Sequence, residues 1–128
     1  MAAKHSALIK FVSPIDDTVW DTDDSQILPG GLEVLRLLKA ALSERGVHVD
    51  HICQWESYGW SMEARFGGRP VLLIIQGGNK YTLSVDDKRT AWERWRSMTH
   101  AVEVNVIASK IAQILDEDAL GTSVVITS

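Results

Sequence analysis

Residues 58–86 read YGWSMEARF, GGR, PVLLIIQ, GGN and KYTLSVDD: three apolar-patterned runs parted by two glycine-bearing turns. No other stretch narrows the choice of fold as much. Runs of this length joined by such turns make an antiparallel meander. The middle run, 71–75, is Val-Leu-Leu-Ile-Ile and apolar on both faces, whereas its flanks mostly alternate. That contrast sets it at the centre of a sheet covered on at least one side.

The rest of the chain supplies what a meander needs to bury its face. Residues 6–13 contain Ala7, Leu8, Ile9, Phe11 and Val12, a strand-like run closed by Pro14 and suited to adding an edge to the meander. Residues 16–24 carry Asp16, Asp17, Asp21, Asp23 and Asp24 around Trp20, a composition that favours Asx turns and exposed loop over regular structure. After Pro29-Gly30-Gly31, residues Leu32, Leu35, Leu38 and Leu42 recur at helical spacing. Val34, Leu37 and Ala41 widen the stripe, and Gly46 is a natural stop. Residues 47–55 alternate as a strand does, with Val49, His51, Cys53 and Trp55 on one side and His48, Asp50, Ile52 and Gln54 on the other. In the next strand Trp60, Met62, Ala64 and Phe66 share a face, and Ser61, Glu63 and Arg65 point away.

Residues 88–98 are polar, with Trp92 and Trp95 three apart, and suit a short helix or an irregular connection. Beyond them Val104, Ile107, Ala108, Ile111, Ile114 and Leu115 keep helical spacing, so a second helix is expected on the same sheet face as the first. Asp116, Glu117 and Asp118 at its end oppose the macrodipole, which predicts fraying or a basic neighbour. Residues 122–127 are either a last edge strand or an ordered tail. The expectation is a two-layer α+β domain spanning 1–128, in the order strand, helix, four-strand meander, helix, strand. Both helices lie on one face of a mainly antiparallel sheet.

Composition limits the function classes. A chain of 128 residues with 45% hydrophobic and 23% charged residues has enough apolar material for a core and too little charge for global disorder. A formal charge of -4 repels phosphate backbones, which removes the usual driving force for nucleic-acid binding. The one cysteine, Cys53, excludes an internal disulfide and points to a reducing cytoplasm. No apolar run approaches the roughly 18 to 20 residues of a membrane span, and Lys10 interrupts the opening residues too early for a secretory signal.

The side chains suited to chemistry do not assemble into a set. Read as an EF-hand, Asp21, Asp23 and Ser25 fill the first ligand positions, but Gln26 stands where glycine is required and Leu32 where the bidentate glutamate belongs. His51 with Cys53, or His48 with Asp50, offers two metal ligands, and no CxxC or HxxxH pair completes either. Cys53 as a nucleophile would need His5, His48 or His100 brought to it by the fold. Glu56 and Glu63 form an acid pair only if the fold holds them some 5 to 10 Å apart; a cross-strand cation beside Glu63 is the ordinary reading. Pro29-Gly30-Gly31 lacks the residues of a phosphate loop and reads as a helix-entry turn. Trp92 and Trp95 among Lys88, Arg89, Arg94 and Arg96 suggest a stacking surface for single strands, diluted by Asp86, Asp87 and Glu93. No catalytic group, metal or cofactor is therefore assigned.

A binding surface fits better. Trp55, Tyr58 and Trp60 fall close together at a hairpin tip beside Glu56; core filling accounts for Trp60 first, whereas Trp55 and Tyr58 suit a core or an interface equally, since aromatic anchors are enriched at interfaces. With the aspartate cluster they define the expected partner-contact residues: Asp16, Asp17, Asp21, Asp23, Asp24, Trp55, Glu56 and Tyr58. The expected partner is another protein. One alternative is a dimeric chaperone like those of type III secretion, which are similarly small, acidic and α+β. Another is a ligand binder or enzyme using a pocket between sheet and helices, with Glu56, Glu63, His51 or Cys53 as its polar groups.

Pro14-Ile15-Asp16-Asp17 with Trp20, Pro29-Gly30-Gly31 opening a leucine helix, Gly59-Trp60 entering a strand, and Tyr81-Thr82-Leu83-Ser84-Val85 together resemble a group of small bacterial α+β domains. In general make-up that group is similar to the immunity proteins of polymorphic toxin systems. The resemblance covers residues 14–86. It implies a compact binding protein with a cognate toxin as its partner.

Overall fold

The computed structural model of the chain describes residues 6–14, 19–21, 26–28, 31–55, 59–66, 69–77, 80–87 and 104–127, with the backbone alone at 19–21, 26–28, 69 and 87. It is an α+β structure built on a mainly antiparallel sheet. The elements are β1 (Ser6–Val12), β2 (Val19–Asp21), β3 (Gln26–Leu28), α1 (Leu32–Glu44), β4 (His48–Val49), β5 (Cys53–Trp55), β6 (Gly59–Phe66), β7 (Arg69–Gly77), β8 (Lys80–Asp87), α2 (Val104–Glu117) and β9 (Thr122–Thr127). The large sheet runs β4-β6-β7-β8-β1-β9, with β5 also paired to β6. The apolar run 71–75 lies on β7, between β6 and β8, as its two-sided pattern requires.

Register gives every strand the same sidedness. Met62 faces Leu73, Leu73 faces Val85, and Val85 faces Ala7, so these four share one face. All are buried, together with Ile9, Val71, Ile75, Tyr81 and Leu83. Both helices cover this face. Helix α1 contributes Val34, Leu35, Leu38, Ala41 and Leu42 to the core, and α2 contributes Val104, Ile107, Ala108, Ile111, Ile114 and Leu115. Leu37, expected to widen the first stripe, is 37% exposed instead. A helix of this size has room for only one buried stripe of about 100°.

Three local expectations are corrected. Strand β1 extends the meander by pairing with β8, as expected, but it is not the edge of the sheet, because β9 pairs along its other side. Residues 47–55 are not one alternating strand. Val49 lies opposite Ala64, whereas Cys53, four residues on, lies opposite Ser61, only three residues back along β6. One extra residue is accommodated at 50–52, where the Asp50 N–H donates to the Glu63 carbonyl at 2.8 Å. A bulge of this kind flips the faces beyond it. Val49 therefore packs against the core while Cys53 turns to the opposite face and is exposed. Third, the aspartate segment, expected as irregular loop, contains β2, which pairs with β3 as Val19 to Leu28, Trp20 to Ile27 and Asp21 to Gln26. Backbone pairing outweighs the weak propensity of aspartate there.

Both helices end in the same motif. At α1, the Val47 N–H donates to the Leu42 carbonyl and the Gly46 N–H to the Ser43 carbonyl, with Gly46 at φ 81°. At α2, the Leu120 N–H donates to Leu115 and the Ala119 N–H to Asp116, with Ala119 at φ 56°. These are Schellman motifs, in which the left-handed residue is usually glycine. Ala119 carries a Cβ into that conformation and is exposed. Ala119→Gly is therefore expected to stabilise the fold by about 0.5–1 kcal/mol, read as a raised melting temperature. The acidic end of α2 also has its basic neighbour. Arg45 Nη2 lies 3.3 Å from Asp118 and 3.5 Å from Glu117, while its Nη1 donates to the Ala41 carbonyl at 2.9 Å. One guanidinium thus ties the ends of both helices together.

Candidate functional site

The aspartate-bearing segment leaves the sheet and returns to it at one end. It departs after Val12, whose partner on β8 is Lys80, next to the Phe11 to Tyr81 and Tyr81 to Gly77 pairs. It returns at Gly31, where a Cβ would stand only 2.8 Å from the Ile75 side chain. Gly31 has φ 109° and caps α1 without a side-chain bond, so its missing side chain lets the chain turn against β7. Trp55 lies at this same end, because it pairs with Gly59, and Gly59 pairs with Gln76. At the same end of β1 and β8 the Phe11 and Tyr81 rings stack at 5.5 Å, and Gly121 lies so close that a Cβ would meet the Phe11 ring at 2.6 Å. The end of the sheet that carries both arms is thus firmly packed.

Of the expected contact residues, Trp55 is half-buried at the end of β5, and Asp21 is described through its backbone in β2. Asp16, Asp17, Asp23, Asp24, Glu56 and Tyr58 lie outside the described residues, as do His5, Trp92, Trp95 and His100. The bulge puts Val49 and Cys53 on opposite faces, and His51 lies within it, outside any strand. His51 and Cys53 are both exposed, with the Cys53 thiol 4.0 Å from the His51 carbonyl. His48 Nε2 is 3.0 Å from Asp50 Oδ1, and both residues are exposed. Among the described residues no three of His, Cys, Asp and Glu converge on a common point. Glu63 lies opposite Leu72 on the face away from the helices and makes no ion pair among the described residues, in place of the expected cross-strand cation.

A second feature lies elsewhere. The ends of α1 and β6 and one flank of α2 enclose an open cavity of about 670 Å³. Its walls are apolar at Leu42, Val47, Phe66, Val106, Ile107 and Ile114, and Arg45, Arg65, Lys110 and Glu117 stand around it. Sequence reasoning did not single out Arg45 or Lys110, and treated Arg65 only as an outward-facing strand residue. The three cations stand 20 and 45 positions apart, so no local spacing could have joined them. No helix among the described residues is long and apolar enough to cross a membrane. The chain matches no known protein family, and no curated protein is significantly similar to it in sequence.

Proposed function

We propose that this chain is a non-enzymatic bacterial protein-binding domain that neutralises a toxin, in the manner of an immunity protein. The observation that supports it is the common anchoring of two arms. Val12 and Gly31, which bracket the aspartates, and Trp55, which opens the aromatic run, all attach to one end of the sheet. The sequence between these anchors carries five aspartates, a composition suited to a basic partner: such charges steer an encounter, and an aromatic such as Trp55 supplies contact area. A rigid sheet end lowers the ordering cost of binding. The chaperone alternative has less support, since such proteins interrupt their strands with a helix and the described residues between 47 and 87 contain none.

The test uses the product of the neighbouring gene as partner, co-expressed with the full chain. Alanine at Asp21, Asp23, Trp55 and Tyr58 together is expected to weaken binding by at least about a hundredfold and to abolish protection of the host cell, at unchanged melting temperature. Unchanged affinity in that variant would remove these residues from the interface. A neighbouring product that is neither toxic nor bound would remove the immunity reading itself.

A further inference from the structure

We propose that the cavity between α1, α2 and the end of β6 binds a small amphiphile: an anionic head group on an apolar body. The charge around it is opposite to that of the molecule. The whole chain is at -4, whereas the cavity lining holds Arg45, Arg65 and Lys110 against the single carboxylate of Glu117, a local balance of +2. That carboxylate is already engaged. Gln113 Nε2 donates to Glu117 Oε1 at 2.8 Å, and Arg45 Nη2 lies 3.5 Å from Oε2. Arg45 is itself engaged by Glu117, Asp118 and the Ala41 carbonyl. Lys110 on α2 and Arg65 at the end of β6 remain, both exposed and without an ion pair among the described residues; Arg65 alternates with Phe66 along the strand and so meets the cavity at its rim. They are the two groups with charge to offer an incoming anion.

The walls select the rest of the ligand. Val106 is 46% exposed on the flank of α2 that lines the cavity, and Phe66, half-buried at the end of β6, lines it as well. Wet aliphatic and aromatic surface of this kind is stabilised when an apolar body covers it. At about 670 Å³ the volume falls in the range of roughly 300–1,000 Å³ typical of small-molecule sites. A bare inorganic anion would leave these walls wet, and a neutral hydrocarbon would leave two cations without a partner. An anionic amphiphile satisfies both, and this site is independent of the protein-binding surface at the other end of β6.

The experiment titrates the full chain with decanoate below its micelle concentration, and in parallel with decanol and with acetate, by calorimetry and thermal shift. Decanoate is expected to bind saturably and to raise the melting temperature, with decanol and acetate each at least about tenfold weaker. The double variant Arg65→Gln, Lys110→Gln is expected to lose at least about tenfold in decanoate affinity while melting at the same temperature unliganded, because both side chains are exposed. Three results each overturn the proposal: no saturable decanoate binding, decanol or acetate binding as tightly as decanoate, or a double variant that binds decanoate unchanged. Should the double variant unfold, the wild-type comparison of decanoate with decanol decides alone.

Discussion

Leu73→Ala is expected to destabilise the fold by about 3 to 4 kcal/mol, a large part of the roughly 5–15 kcal/mol that holds a domain of this kind together. Leu73 is fully buried on the central strand β7, with Met62 opposite it on β6 and Val85 opposite it on β8, both buried as well. Strands on both sides fix the backbone in place, so the void left by the missing methyl groups has little means of closing. The cost is the lost transfer energy plus the cavity. Leu37→Ala is the matched control. Leu37 belongs to the same kind of leucine pattern but is 37% exposed, and its truncation is expected to cost no more than about 0.5 kcal/mol. Urea denaturation of the two variants reads the difference directly. Equal costs would mean that β7 is not the centre of the core.

Gly77→Ala is expected to cost about 3 kcal/mol through the backbone rather than through packing. Gly77 has φ 118°, which L residues rarely adopt, and a Cβ there would stand 2.2 Å from the Lys80 carbonyl oxygen. The obstacle is main chain in the β7–β8 ladder, so it cannot swing aside as a side chain would. Gly46 separates the two contributions. It too has a positive φ, at 81°, but nothing lies within 4 Å of its would-be Cβ, so Gly46→Ala is expected to cost only about 1 to 2 kcal/mol. A smaller loss at Gly77 than at Gly46, measured as the shift in denaturation midpoint, would contradict the tight approach of Lys80.

The chemistry of single residues explains why some features could be read in advance. Gly46 announces the end of α1 because only glycine enters the left-handed conformation without strain. The identical turn after α2 was not legible, because Ala119 occupies the same conformation and carries no such signal. The Asp116 to Asp118 run predicted either fraying or a basic neighbour, and only packing could supply Arg45, more than 70 positions away. The expected partner surface was legible as composition alone: aspartates around Trp20 and aromatics around residue 58. That both attach to one end of the sheet follows from the register of β1, β5, β6 and β7, which no local pattern encodes.

Periodicity is a property of neighbours in the chain, and it determined by itself the two helical stripes, the three long strands and the central place of residues 71–75. Each of those follows from which side chains must avoid water within one element. Tertiary structure alone decided that β1 lies inside the sheet with β9 outside it, that the bulge at 50–52 turns Cys53 away from the core, and that Arg45, Arg65 and Lys110 surround one cavity. Those outcomes depend on pairings between distant segments. Their free energy arises only once the chain has closed on itself.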